Sequence, residues 1–174
     1  MILIGIGSNV EGPWGLPRDT VEEALRRLDR DPVRLVRASR LLVTAPYGIR
    51  DQPDFVNAVA RVETELPPAE LMRLLQDIEL AADRRRTLRW GPRTLDLDLL
   101  DYDGKVEGAA GEGSRRLILP HPGIPDRPFV LKPIAEIAPE WRHPVLHDTA
   151  QELLDRLPAG SEGGEVSGRS PRTG

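Results

Sequence analysis

The alternation of leucine and aspartate over residues 95–99 constrains the fold more than any other stretch of this chain. Apolar residues at every second position have the period of a β-strand, because successive side chains point to opposite faces of a sheet. The leucines then face a core, while Asp96 and Asp98 share the other face. Their Cα atoms are expected about 6–7 Å apart, which is twice the rise per residue of a strand.

Two carboxylates on one strand face repel each other unless a cation lies between or beside them. Mg²⁺ suits this arrangement, because it takes one or two carboxylates and completes its shell with water and substrate phosphates. Guanidinium groups match phosphate oxygens, and five arginines lie shortly upstream: Arg84, Arg85, Arg86, Arg89 and Arg93. The alternative is a strand with a solvated, charged face beside a basic loop. The arginines together with Trp90 favour a phosphate and metal site.

Composition indicates an ordinary soluble domain. The chain has 174 residues, which suits one domain with a real core. It has no cysteine, so disulfide scaffolds, thiolate metal sites and cysteine nucleophiles are excluded together. The net charge of -4 does not indicate a general nucleic-acid binder. Without an apolar run of about 18 residues or an export signal, we expect a cytoplasmic protein with no membrane partner.

Hydrophobic periodicity predicts alternating strands and helices. Strands are predicted over residues 2–6, 34–43, 55–65 and 95–102. A capping box at Thr20–Glu23 predicts the start of one helix, and Pro67-Pro68 opens the second. The order β-α-β-β-α-β is that of a ferredoxin-like α+β sandwich. We therefore expect an antiparallel sheet with helices on one face, followed by C-terminal additions.

The chain is expected to form one domain over residues 1–158. The segment 159–174 carries Gly, Ser, Pro and charge with almost no apolar residues, so it cannot offset its ordering entropy. It is predicted to be a disordered tail. Residues 103–114, rich in Gly and Ala, are predicted to form a loop or hairpin excursion.

Other residues suggest individual roles. Asn57 shares a predicted strand face with Phe55, which suits an amide reading a heterocycle edge while the ring stacks on it; an ordinary strand after a Pro-bounded loop is the alternative. His121 lies between two prolines, where a phosphate contact and a structural role are both open. Glu79 falls on the apolar stripe of its helix, where a buried ion pair with an arginine would satisfy it.

The motifs of this chain, in their order along the sequence, resemble those of the 6-hydroxymethyl-7,8-dihydropterin pyrophosphokinase family of folate biosynthesis. The resemblance covers about residues 2–145 and is most specific at Arg89-Trp90-Gly91-Pro92-Arg93-Thr94-Leu95-Asp96-Leu97-Asp98. It also includes Gly7-Ser8-Asn9, Asp51-Gln52-Pro53-Asp54-Phe55-Val56-Asn57, Leu119-Pro120-His121-Pro122 and Arg127-Pro128-Phe129-Val130-Leu131. The family has a ferredoxin-like core and uses ATP, Mg²⁺ and a reduced pterin.

The resemblance implies transfer of the terminal diphosphate of ATP to the pterin hydroxymethyl oxygen, with release of AMP. Asp96 and Asp98 are implied to hold two Mg²⁺ ions, and Arg84 and Arg93 to neutralise charge during transfer. Nucleotide contacts are implied for Gln76, Arg86, Arg116, His121 and Arg127. Pterin contacts are implied for Thr44, Tyr47, Phe55, Asn57, Trp90 and Phe129. Asp98 and metal polarisation of the hydroxyl are both open as the means of deprotonation.

Two other functions fit the sequence less well. An RNA-recognition module on the same sandwich needs exposed sheet aromatics, and the only phenylalanines here are Phe55 and Phe129. A catalytically inactive subunit is disfavoured because the aspartates and arginines of the motif are intact. Asp83, where the family usually has glycine, is a departure beside the first loop arginine. We expect a monomer whose partners are small-molecule substrates, with no nucleic acid.

Overall fold

The structure is a computed structural model that describes residues 1–45, 51–83, 94–108 and 117–158, together with the backbone of 167–169. Within these residues the helices are α1 (Pro17–Arg27), α2 (Pro68–Ala81), α3 (Pro128–Ile137) and α4 (Ala150–Asp155). The strands are β1 (Ile2–Ser8), β2 (Val33–Ala38), β3 (Leu41–Thr44), β4 (Phe55–Thr64), β5 (Asp96–Tyr102) and β6 (Ser167–Arg169).

One antiparallel sheet contains all of these strands. Its order is β5-β1-β4-β3-β6, and β2 pairs with the later part of β4. The predicted strand over 34–43 is therefore two strands that follow one another along β4. Between them, Ser39 N donates to Val59 O and Ser39 Oγ accepts from Val59 N, each at 2.9 Å. The α+β class and the antiparallel sheet predicted from the sequence are confirmed.

The two faces of the sheet are covered by different helices. Ile2, Ile4 and Ile6 of β1 belong to a first core with α1 and α2. The alternate residue Leu3 belongs to a second core, in which Val59 and Leu100 meet α3 and α4. The first pair of helices lies on one face, as the sequence predicts. The C-terminal helices, which the sequence suggested only as additions, cover part of the other face.

Helix α1 begins earlier than its predicted capping box. Leu16 N donates to Asp19 Oδ2 at 3.0 Å, and Pro17 in the first turn has no N–H that needs an acceptor. Thr20, predicted to cap the helix, is instead buried within it. Helix α2 begins at Pro68, as predicted.

The predicted tail is described only at Ser167–Arg169. These three residues pair with Leu41–Val43 of β3 and form an edge strand. The rest of residues 159–174 lies outside the described part of the chain, so the extent of the tail stays a prediction. No helix among the described residues combines the length and apolar character that a membrane crossing requires.

The segment after α3 is attached to the sheet through buried polar groups. Trp141 Nε1 donates to Asp101 Oδ2 at 2.7 Å. His143 is buried beside this tryptophan, and its Nδ1 accepts from the backbone N–H groups of Val145 and Leu146, both at 3.1 Å. Burial lowers the pKa of His143, although nearby carboxylates oppose the shift. A protonated Nδ1 has no lone pair for these bonds, so the neutral ring is the form that fits.

We expect His143 to make the fold less stable in mild acid. Its folded pKa lies below the unfolded value of about 6.5, so the unfolded chain binds more protons once the pH falls below that value. The stabilisation is therefore present in full above about pH 6.5 and is lost as the pH decreases towards the folded pKa. Urea unfolding midpoints at about pH 7.5 and about pH 5 should fall further in the wild type than in His143→Asn. An equal fall in both proteins would contradict this assignment.

Candidate active site

A row of directly paired residues crosses three strands of the sheet. Asp96 of β5 is opposite Gly7 of β1, and Gly7 is opposite Asn57 of β4. Asp98 is opposite Gly5 in the same way. Directly opposed residues share a sheet face, so both carboxylates and the amide lie on the face that carries α3. The two aspartates are thus placed as the leucine–aspartate alternation predicts.

Gly7 gives Asn57 room to lie on this face. A Cβ at Gly7 would lie 2.9 Å from Asn57 Oδ1, so a side chain there would displace the amide. Asn57 Nδ2 donates to Thr44 Oγ1 at 2.8 Å in a buried hydrogen bond. Phe55 is two residues before Asn57 on β4, and its Cδ1 would be 4.0 Å from the same Cβ. The structure therefore brings Thr44, Phe55 and Asn57 together beside the glycine.

His121 lies beside the paired aspartates. Its Nε2 is 3.9 Å from Asp98 Oδ1, its backbone N–H donates to Leu100 O at 2.8 Å, and its Nδ1 accepts from Gly123 N at 3.0 Å. Because Nδ1 accepts, the proton of the neutral ring is on Nε2. Burial lowers the pKa of His121 to about 4, with the charge of Arg127 acting in the same direction. At neutral pH this ring therefore presents an N–H donor and no charge.

Arg127 and Phe129 meet at the start of α3. The guanidinium carbon of Arg127 is 6.0 Å from the ring centroid of Phe129, and Gly123 packs so closely that a Cβ there would lie 2.6 Å from this carbon. Phe129 also packs against the second core. Gly123 packs against the Arg127 guanidinium and its N–H donates to His121 Nδ1, so Arg127 lies close to the histidine beside the aspartates.

Of the remaining predicted site residues, the structure describes only Gln76. Gln76 lies on α2, whose apolar side packs on the opposite face of the sheet. Six others lie outside the described residues: Tyr47, Arg84, Arg86, Trp90, Arg93 and Arg116. Their assigned roles stay predictions.

Glu79 has a role that the sequence did not identify. The side chain is 1% exposed, and its Oε2 accepts a hydrogen bond from Leu97 N at 3.0 Å. Leu97 lies between Asp96 and Asp98 on β5, which is the edge of the sheet. An N–H directed away from a sheet edge needs an acceptor when it is buried. The carboxylate therefore fixes the strand that carries both aspartates. The buried ion pair that its position on the helix predicts is a separate interaction and stays a prediction.

The carboxylate pair fits a hard divalent cation. Asp98 is 38% exposed at its side chain, so its oxygens are accessible on the open face. Among the described residues, no group of three or more His, Cys, Asp or Glu forms a closed metal cage. Two carboxylates with room for water and phosphate are the ligand set that Mg²⁺ commonly takes in proteins. This arrangement can bind a metal-chelated polyphosphate beside a flat ring.

Glu79→Ala should destabilise the fold by about 1–3 kcal/mol, because the buried N–H of Leu97 would lose its acceptor. Glu79→Gln is the matched control, since its amide carbonyl can still accept that bond, and it should cost clearly less. Denaturant unfolding of the three proteins measures the difference. Equal losses in both variants would show that the carboxylate acts through its charge instead.

Known proteins resemble this chain over most of its length. Residues 3–139 match the profile of the 7,8-dihydro-6-hydroxymethylpterin-pyrophosphokinase (HPPK) family. A 2-amino-4-hydroxy-6-hydroxymethyldihydropteridine pyrophosphokinase from Pseudomonas aeruginosa is 42% identical over 165 residues, which are 90% of this chain and 96% of that protein. A protein of the same name from Methylorubrum extorquens is 38% identical over 161 residues, covering 91% and 95%.

A solved structure shares the fold. The Plasmodium falciparum HPPK-DHPS triple mutant with STZ-DHP superposes with a TM-score of 0.66 at 14% sequence identity. The match covers 88% of this chain and 42% of that chain, so it concerns the fold of one part of a longer protein. The extent of the profile match and the identity to full-length relatives show that this chain belongs to the 7,8-dihydro-6-hydroxymethylpterin-pyrophosphokinase family.

Proposed function

We propose that this chain transfers diphosphate from ATP to the hydroxymethyl group of 6-hydroxymethyl-7,8-dihydropterin, giving AMP and the pterin diphosphate in folate biosynthesis. The row Asp96–Gly7–Asn57 is the observation that carries this proposal. One strand separates the carboxylate strand from the amide strand, which places them about 10 Å apart. A ring read by Asn57 can therefore direct its hydroxymethyl group towards the paired aspartates.

The pterin is proposed to bind between Phe55 and Phe129. Asn57, oriented by Thr44, offers both a donor and an acceptor to the edge of the ring. Stacking between aromatic side chains would hold the ring in the plane that this amide can reach. Tyr47 and Trp90 are proposed as further contacts on the strength of the family motif.

The nucleotide is proposed to bind along the His121 and Arg127 side of the aspartates. The Nε2–H of neutral His121 suits a phosphate oxygen, and Arg127 adds a positive charge. Gln76, Arg86 and Arg116 are proposed as further nucleotide contacts on the strength of the family resemblance alone.

Asp96 and Asp98 are proposed to hold two Mg²⁺ ions, which when bound neutralise triphosphate charge. The pterin hydroxyl oxygen attacks the β-phosphorus of ATP, the bond to the α-phosphate oxygen breaks, and AMP leaves. Arg84 and Arg93 are proposed to stabilise the charge that spreads over the transferred group. A carboxylate oxygen of Asp98 is one acceptor for the hydroxyl proton, and metal polarisation of the hydroxyl is the other open route to deprotonation.

The proposal includes several coarser properties. The order β1-α1-β2/β3-β4-α2-β5 and the antiparallel sheet support a ferredoxin-like core within a domain over residues 1–158. We propose that the protein acts in the cytoplasm as a monomer on small-molecule substrates, without a nucleic-acid or membrane partner.

Asp96→Ala and Asp98→Ala should each lower pterin-dependent AMP release by about a hundredfold or more, because each removes a metal ligand. Chelation of divalent cations should abolish the wild-type rate. Asp155→Asn, on the exposed side of α4, is the matched control and should retain the rate. Melting temperatures establish that the variants are folded. A folded Asp96→Ala protein with the wild-type rate would disprove the role of the carboxylates.

Gly7→Ala should raise the KM for the pterin by roughly tenfold with little change in the KM for ATP, because the new Cβ displaces the amide of Asn57. Gly5→Ala provides the control on the same sheet face. The three atoms nearest to its Cβ would all belong to Leu100, the closest at an ordinary 3.5 Å. Initial rates with each substrate varied in turn measure both constants, and an equal effect of the two substitutions would contradict the assignment of Asn57.

A further inference from the structure

We infer that the tight turn Gly12–Gly15 positions the start of β5, with Gly12 and Thr94 as positioning residues for the reaction. The inference rests on the proposed function, because it concerns the placement of Asp96, two residues after Thr94. Neither residue is proposed to touch a substrate. Their effect would be exerted through the backbone of the carboxylate strand.

The turn is closed and firmly attached. Gly12 N donates to Gly15 O and Gly15 N donates to Gly12 O, both at 3.0 Å. Trp14, inside the turn, packs against the first core, and the guanidinium carbon of Arg27 lies 4.3 Å from its ring centroid. The turn is therefore anchored to α1 and to the first core, so we expect it to resist displacement.

Gly12 packs directly against the start of β5. A Cβ at Gly12 would lie 2.2 Å from Thr94 Cγ2 and 3.4 Å from the carbonyl oxygen of Ala82. Its φ lies outside the left-handed region, so glycine is required there for space and not for backbone conformation. The turn thus contacts both the end of α2 and Thr94, two residues before β5.

Thr94 also connects the end of α2 to the start of β5. Its Oγ1 donates to Asp83 O at 3.4 Å, just beyond the end of α2. Glu79 makes a second connection from α2 through Leu97 N, one residue after Asp96. The contacts of Thr94 and Leu97 thus lie on both sides of Asp96 along the chain. A side chain at Gly12 would displace Thr94, and we expect this displacement to move the Asp96 carboxylate. A displacement of about 1 Å in a catalytic group can cost about a hundredfold in rate.

The test is a double-mutant cycle with Gly12→Ala and Thr94→Ser. Serine keeps the Oγ of Thr94 but removes the Cγ2 with which the new Cβ collides. Gly12→Ala alone should lower kcat for pterin-dependent AMP release about tenfold or more, while in the Thr94→Ser background it should cost less than about twofold. Gly104→Ala is the control, because its Cβ would meet nothing within 4 Å but its φ of +72° imposes backbone strain. It should lower the melting temperature and leave kcat unchanged.

Melting temperatures of the same variants test the contact without relying on activity. Gly12→Ala should lower the melting temperature by roughly 5 °C with threonine at position 94 and by clearly less with serine. Equal costs in both backgrounds would overturn the contact. A coupled melting temperature with an unchanged kcat would overturn the positioning role. If the wild type releases no pterin-dependent AMP, the proposed function fails, and a positioning role in that reaction fails with it, while the melting data still decide whether Gly12 contacts Thr94.

Discussion

The alternation of residues along β1 is the constraint on which both halves of the structure depend. Its isoleucines face the first core, while Gly5 and Gly7 lie on the opposite face between β4 and β5. Because side chains alternate strictly along a strand, a register shift of one residue would bring the isoleucines into the candidate site and the glycines into the core. Burial of the isoleucines in the first core therefore keeps the glycines, and no larger side chains, of β1 on the face of the candidate site. Stability and the geometry of the site are set by the same pairing.

Much of the fold and part of the site follow from local patterns. The strand carrying Asp96 and Asp98 could be predicted because period-two alternation determines which side chains share a face. Asn57 and Phe55 could be placed together for the same reason. The family was identified from motifs, and the profile match and full-length relatives confirm it. Gln76 and the residues outside the described ranges rest on the resemblance alone, since no described contact joins them to the aspartates.

The features that the sequence did not reveal depend on contacts between distant segments. The division between β2 and β3 occurs at Ser39. Its hydroxyl, and not a backbone carbonyl of a paired strand, accepts the hydrogen bond of Val59 N, and nothing in the local sequence indicates this. The acceptor role of Glu79 depends on the outer edge of β5, which no local pattern indicates, while its ion pair with an arginine stays a prediction. The start of α1, by contrast, depends on a local competition between two capping patterns within a few residues. Asp19 accepts from Leu16 N, while Thr20 becomes part of the buried side.

The ten-residue strand β4 has a consequence for how such a site can diverge. Its first residues pair with β3 and carry Phe55 and Asn57, whereas its later residues pair with β2 and support the cores. Ser39 separates the two pairings. Changes in β3 can therefore alter the surroundings of the residues proposed to bind the ring, while the β2 half preserves the register of the sheet. In the half of β4 that pairs with β3, sequence variation is thus expected to change ligand recognition. In the half that pairs with β2, it is expected to change folding.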